Sequence, residues 1–434
     1  MGIGESDQIC SLSQLESMHT GDLVQGQIEY GYWTTEKPVN PVENSTTIEF
    51  NVEGNGNEMN ELSSCYLKVD AKITKADGSA LDGGMHVAPI NNLVHSLWNQ
   101  VDVLLNDQLV SSRETQHALR SYIETVMNYE EEALTTRQTA SLFYKDTAGQ
   151  MDIADPAGAN KGLEARSNYS KESGVIELID RLHIDFFLQD KPLVNGVRMR
   201  IKLYKNKDTF LLMSSAAQPA FKLQIMDVTL HMRKIRLVDE VYKNIVSQDV
   251  VYPITRVETK DYLSPQGVKS FYLTNVSNGI LPKRIILALV LNDAYNGSYT
   301  LNPYNFQHFG LSKLELNVNG IVYGGKPLEF DFAANKYLAG YWSLVTAMGK
   351  LSSHHGCTIS REEYKSGYCL FAFDLTPTLC GSDQYIDPHQ PGDTNISLTF
   401  KDNLSHAINA FVYMEHDSKI IITKTKQVIP AFAI

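Results

Sequence analysis

Apolar and polar positions alternate along much of the chain. Thr46 to Val52 puts Ile48, Phe50 and Val52 on one face, and Cys65 to Thr74 keeps Leu67, Val69, Ala71 and Ile73 in phase. Both have the period of a half-buried strand. Val101 to Val110 reads VDVLLNDQLV, alternating up to Asn106-Asp107 and then turning apolar again. That predicts a hairpin, with residues that tolerate positive φ at its centre. Pro89 to Trp98 reads as a mixed segment of one or two helical turns leading into it. After the hairpin the period changes: Ala118, Leu119, Tyr122, Ile123 and Val126 form a helical stripe within Glu114 to Asn128. Glu130 to Tyr144 reads as more helix, and the Gly/Asp/Asn/Ser-rich stretch 145–174 as a long surface loop. Strands resume over Val175 to Leu188, Val197 to Tyr204 and Phe221 to Arg236.

The second half replays this order after a short helical connector at 237–248. Phe271 and Leu273 echo the first strand, and Ile285, Leu287, Leu289 and Leu291 echo the second. Leu314 to Tyr323 reads LELNVNGIVY, a second hairpin with Asn319-Gly320 at its turn, 319 − 106 = 213 residues after the first. A helical stripe follows at Tyr337, Leu338, Tyr341, Trp342 and Val345, offset by 338 − 119 = 219. Strands then come at Cys369 to Leu375, at Ile396, Leu398 and Phe400, and at Ala410 to Met414. The last two are offset by 400 − 203 = 197 and 413 − 230 = 183, a drift that an insertion at 129–174 of the first half accounts for. The pattern predicts an all-β fold with helical insertions, a duplicated pair of eight-stranded jelly-roll β-sandwiches in tandem. The expected division is an extended N-terminal arm at 1–44, a first jelly roll at 45–236 and a second at 237–434.

Length supports the duplication, since 434 residues exceed what one core usually serves. With 38 basic and 50 acidic side chains the net charge is −12, and no long basic run occurs, which argues against nucleic-acid gripping as the main task. Five cysteines without CxxC spacing read as reduced thiols. Residues 1–30 carry no apolar h-region, so the expectation is a chain made inside the cell without a secretory signal. The Asn-x-Ser/Thr sequons then read as unused. The opening MGIGES fits the N-myristoylation pattern that would lipidate Gly2 and allow membrane contact; the plain reading is a flexible terminus.

Catalytic signatures are absent. No His-x-His occurs, and His354-His355 before Cys357 lie in a polar stretch where adjacent side chains point apart. His183, between Leu182 and Ile184, reads as a partly buried, hydrogen-bonded structural histidine. Neither a Gly-x-Ser-x-Gly elbow nor a phosphate loop is present. The 50 acids single out no carboxylate pair for glycoside hydrolysis. Loop tyrosines such as Tyr295, Tyr299 and Tyr304 suit a protein interface and a sugar platform equally. No catalytic, cofactor or metal residue is expected, and no enzyme.

Five stretches carry a resemblance. They are NNLVHSLWNQVDVLLNDQLV (Asn91 to Val110), YKDTAG (Tyr144 to Gly149), RLHIDFFLQDKPLVNGVRMRIKL (Arg181 to Leu203), NDAYNGSYTLNPYNF (Asn292 to Phe306) and FDLTPTLCG (Phe373 to Gly381). In register from about Tyr32 to Val428, they resemble the hexon-like double jelly-roll major capsid proteins of Polinton/Maverick elements and adintoviruses. The resemblance implies a homotrimeric capsomer of pseudo-hexagonal outline in the capsid of an icosahedral double-stranded DNA virion, assembled inside the host cell. Its partners would be neighbouring capsomers, penton and minor capsid proteins, without sequence-specific nucleic-acid binding. Trimer contacts are expected from the sandwich flanks, from loop 129–174 and from the helices Glu114–Asn128 and Asn335–Met348. The acidic charge adds an expectation that capsomer contacts depend on salt and pH. The alternative reading is a β-sandwich carbohydrate-binding or host-attachment module; a glycoside hydrolase is a third.

Overall fold

A computed structural model describes residues 26–431, apart from Asn44, Asn55, 84–85, 113–114, 352–355, Cys380 and 382–387. In the first half the strands are β1 (Ile28–Glu36), β2 (Thr47–Val52), β3 (Glu58–Lys75), β4 (Val87–Pro89), β5 (Trp98–Leu105), β6 (Gln108–Leu109), β7 (Ile176–Arg181), β8 (Met199–Lys205), β9 (Leu212–Ser214) and β10 (Phe221–Leu237). In the second they are β11 (Val250–Ser264), β12 (Ser270–Ile280), β13 (Arg284–Leu291), β14 (Leu311–Val318), β15 (Ile321–Val322), β16 (Leu328–Glu329), β17 (Leu370–Asp374), β18 (Pro391–Phe400), β19 (Ile408–Ile422) and β20 (Val428–Ala431).

The first half builds two sheets, β1-β10-β3-β7 and β2-β8-β5-β6, with β4 and β9 paired apart from them. The second builds β11-β19-β13-β17 and β12-β18-β14-β15, with β16 added beside β14 and β20 beside β19. Leaving aside β4, β9, β16 and β20, the strands of each half rank one to eight along the chain. Both halves then have the sheet orders 1-8-3-6 and 2-7-4-5, with antiparallel pairing throughout. That is jelly-roll wiring, present twice.

Alternation explains the packing. Leu67, Val69, Ala71 and Ile73 on β3 are fully buried, and they pair with Leu230, Val228, Ile225 and Leu223 of β10. Ile285 and Leu287 of β13 lie likewise between β17 and β19, and buried Leu289 pairs with β19. The two hairpins form where the sequence places them. Asn106 and Asp107 have φ of 47° and 65°, and Asn319 and Gly320 have 51° and 78°. Two consecutive left-handed residues give the primed turn whose twist matches antiparallel strands.

Four stretches differ from the sequence expectation. Ile28–Glu36, inside the expected arm, is a strand paired with β10, Trp33 opposite Arg233. None of its residues is buried, so it carries no alternation to read. The expected surface loop 145–174 contains a helix, Lys161–Ser170, capped by the Asn160 side chain. Its buried side includes Arg166, Ser167 and Ser170, which gives no apolar stripe. The strand expected through Leu188 ends at Arg181, followed by a single 3-10 turn at Asp185–Phe187. The helix expected over Glu130 to Tyr144 is a short one, Glu131–Thr135, and a 3-10 turn, Arg137–Ser141.

The helical stripe after the first hairpin is the helix His117–Asn128, in which every residue from His117 to Met127 is buried. Enclosed by its own chain, it cannot supply the outer contact expected of it. Its counterpart Leu338–Ala347 leaves Leu338 and Trp342 exposed. Among the described residues no helix is long and apolar enough to cross a membrane.

The face assignment of β3 and β7 can be tested by truncation. Leu67→Ala is expected to cost about 2–5 kcal/mol in denaturant unfolding. Ile179→Ala, on the exposed face of β7, should stay within about 0.5 kcal/mol of the parent.

Candidate functional site

The described residues offer two features on which function can rest: a polar seam joining the jelly rolls, and an outer strand left uncovered. The seam is built around the helix His117–Asn128. One turn of that helix brings Arg120 and Glu124 together, Arg120 Nε donating to Glu124 Oε1 at 2.9 Å. Arg120 also holds Asp185 through Nη2. From the second jelly roll, the Tyr413 hydroxyl stands 3.3 Å from Glu124 Oε1 and 2.9 Å from Glu415 Oε1, so one proton serves two carboxylates. Arg284 closes the chain with a fork onto Glu415, at 2.7 and 2.6 Å, and donates to Ala347 O at 2.9 Å. Strand β11 joins in: the Val257 backbone N donates to Asp185 Oδ2 at 3.3 Å, and the Arg256 side chain donates from Nη2 to Val110 O at 3.1 Å.

These groups are all buried. At Glu124 burial raises the carboxyl pKa, but Arg120 and His183 beside it more than offset that and hold it down to about 2. At Glu415 burial is likewise outweighed, by the Arg284 fork, and the pKa is lowered. At Asp185 burial wins over Arg120 and Arg256, and the pKa is raised. The desolvation of such groups is repaid only by close, complete pairing.

A second part of the seam occupies the stretch expected to be a surface loop. Arg166 and Asp146, both fully buried at the side chain, pair at 2.8 Å. Arg166 also donates to Pro89 O and Tyr144 O. Asp146 accepts from Asn302 Nδ2 of the second jelly roll at 3.1 Å, and Tyr368 OH donates to Asp146 O at 2.7 Å. Beside them the Tyr122 and Tyr304 rings stack at 4.0 Å, 6° from parallel. Tyr295 and Tyr304, read from sequence as loop tyrosines that suit an interface or a sugar platform equally, are buried. Between the halves a groove of about 890 Å³ is lined by Asp102, Lys202, Tyr204, Arg256, Glu258 and Lys260, among others.

The uncovered strand is β1. Tyr30, Tyr32 and Trp33 are 47%, 38% and 52% exposed. The Trp33 ring lies 5.3 Å from Tyr66, which stacks on His231 at 4.8 Å. The strand of the same rank in the second jelly roll, β11, buries Tyr252, Ile254, Arg256 and Val257. What covers it comes from the first jelly roll. Tyr252 OH donates to Pro192 O at 3.1 Å and accepts from Val194 N at 3.0 Å, and Ser112 Oγ donates to Val257 O at 2.5 Å.

His183 is buried, with Tyr129 OH at 3.2 Å and Glu124 Oε2 at 3.3 Å, but just past the end of β7 rather than within a strand. His354, His355 and Gly2 lie outside the described residues. Cys65, Cys357 and Cys369 are free thiols. Sequence reasoning missed His95 and Asp180, which the fold brings to His183. Asp180 precedes His183 by three residues, but His95 stands 85 residues earlier than Asp180, a separation that carries no local signal.

No known protein-family profile matches the chain. It is 24% identical over 408 residues to the uncharacterized protein F54H12.2 of Caenorhabditis elegans, across 90% of this chain and 94% of that one. Among solved structures it resembles a chain of the Sputnik virophage, with a TM-score of 0.65 and 12% identity over 95% of this chain and 90% of that one. It also resembles the mavirus major capsid protein, with a TM-score of 0.52 and 12% identity over 93% and 90% of the two chains. The Faustovirus major capsid protein gives 0.52 at 10% identity, over 94% of each chain. The fold of this chain is that of the double jelly-roll major capsid proteins.

The seam makes stability depend on acid. Glu124 and Asp180, both near 2, and the lowered Glu415 have folded-state pKa values below those of the unfolded chain. Their contribution is present above the ordinary carboxylate range and lost as pH falls from about 4.5 toward 2. Asp185 runs the other way and blunts the loss. The melting temperature should fall steeply in that window, and less steeply relative to pH 7 in Glu124→Gln. At neutral pH, Arg284→Met should cost about 3–5 kcal/mol by leaving buried Glu415 charged and without its guanidinium partner.

Proposed function

We propose that the chain is the major capsid protein of an icosahedral double-stranded DNA virus or virus-like element of the Polinton/Maverick and adintovirus type. It is a structural protein rather than an enzyme. Its working form is a homotrimeric capsomer that meets neighbouring capsomers, penton and minor capsid proteins in a virion shell assembled inside the host cell. The motif resemblance supports the type, and the fold supports the capsid role.

The observation that carries the trimer is the inequality of β1 and β11. Two strands of the same rank in the same wiring should bury similar surface. β11 is covered because the first jelly roll lies against it, through Val110, Ser112, Asp185 and Pro192–Val194. The corresponding positions in the second jelly roll follow β15 and β17. Nearby, Ile321 and Leu379 stand 73% and 52% exposed. Among the described residues, the first wedge thus carries one uncovered strand, and the second carries Ile321 and Leu379 exposed where the covering segments would start. Repeating the internal contact between copies satisfies both. Each subunit presents one face to the next, a heterologous contact that closes after three chains and six wedges. Interfaces of this obligate kind bury roughly 2,000 Å² or more, and the Trp33–Tyr66–His231 patch is the aromatic anchor such a contact uses. The net charge of −12 per chain adds repulsion between capsomers that salt relieves.

Light scattering on a sizing column tests the proposal. The expected mass is 3 × 48.6 kDa, about 146 kDa, or larger particles. Trp33→Glu, and separately Ile321→Asp, should give folded monomers, each weakening association by tenfold or more. A wild-type monomer at micromolar concentration would overturn the trimer.

A further inference from the structure

One buried cluster of polar groups beside the seam is held by contacts of 3.2–3.3 Å and leaves three of its atoms, His95 Nδ1, His183 Nδ1 and Glu124 Oε2, without a hydrogen-bond partner. His95, on the single helical turn Leu93–Ser96, is fully buried, and its Nδ1 has no hydrogen-bond partner. His95 Nε2 lies 3.3 Å from Asp180 Oδ2, and its ring centroid lies 4.2 Å from that of His183. His183 Nδ1 is 3.3 Å from Glu124 Oε2, and neither atom makes a hydrogen bond. A charge-assisted hydrogen bond would be nearer 2.8 Å. One ligand atom from each of His95, Asp180 and His183 falls within 4.8 Å of the others.

We propose that His95, Asp180 and His183 form a binding site for a divalent transition-metal ion of the zinc class. The donor set is two imidazoles and one carboxylate, which suits zinc and its neighbours and not calcium or magnesium, ions that take oxygen ligands. Ligands about 2.0–2.1 Å from zinc stand roughly 3.4 Å apart around a tetrahedron, close to the 3.3 Å between His95 and Asp180. The surroundings are those of metal sites: Gln138 Nε2 donates to Asp180 Oδ2 at 3.2 Å, and Glu124 faces His183. The Asp180 side chain retains slight exposure, 9%, which gives the ion an entry. The competing account is ordered water, which would satisfy the same atoms without selecting a metal. A bound ion would tie the Leu93–Ser96 turn to the end of β7 and, through Glu124, to the seam.

The test uses the purified full-length chain, loaded with Zn²⁺, passed over chelating resin and analysed by inductively coupled plasma mass spectrometry. About one zinc per chain should remain, with a raised melting temperature that chelator reverses. Cobalt in its place should give the visible absorption of a low-coordinate nitrogen–oxygen site. Asp180→Asn, at the rim of the cluster, should fold and lose the ion, and His183→Gln should do the same. A wild-type chain that retains no zinc and melts unchanged with or without it would overturn the site. Stoichiometric zinc retained by Asp180→Asn would do so as well. These readouts are taken on the isolated chain and do not depend on trimer formation.

Discussion

Three guanidinium groups and three carboxylates withdrawn from water hold the two halves of this protein in one arrangement. Arg120, Arg256 and Arg284 stand with Glu124, Asp185 and Glu415, all buried, and their formal charges cancel. Apolar surface would join two sandwiches over a range of slides and tilts. A chain of charges linked through the one Tyr413 hydroxyl would not, because a small shift leaves a buried charge without its partner. The seam therefore fixes the angle between the jelly rolls, and the rest of the outer surface inherits its placement from that angle.

The fold was legible where a local rule sufficed. Two-residue turns, Asn106-Asp107 and Asn319-Gly320, flanked by alternating hydrophobes, marked both hairpins to the residue, and their echo across the chain exposed the duplication. The unread elements fail the same rule for physical reasons. Strand β1 has no fully buried residue, and the helix Lys161–Ser170 packs largely polar residues. The polar seam could not be read at all, since pairs such as Glu124 and Tyr413 are joined only by tertiary structure. Yet four of the five stretches that carried the capsid resemblance fall on it or beside it. His95, Asp146, His183, Asp185, Asn302 and Tyr304 all lie in those motifs and all are buried. They mark how the two sandwiches clasp, which no periodicity describes.

That division also fits the low identity to the solved capsid proteins, 12% for both Sputnik and mavirus. Jelly-roll wiring asks for alternation and turns, which many sequences satisfy, so a shared architecture says little about residues. What a particular chain adds is the clasp between its halves and the chemistry of whatever edge it leaves open.

The contrast between the covered strand β11 and the open strand β1 has a further consequence for the proposed ring. Of its six wedge boundaries, three lie within a chain and three between chains. The first kind is welded by covalent continuity and by buried ions; the second is closed by exposed apolar surface, with Trp33 on one side and Ile321 on the other. Such a ring is a hexagon with alternating permanent and reversible sides. Under stress it comes apart into whole two-wedge chains and never into single wedges, so the smallest unit of assembly and of failure is set by the gene duplication itself.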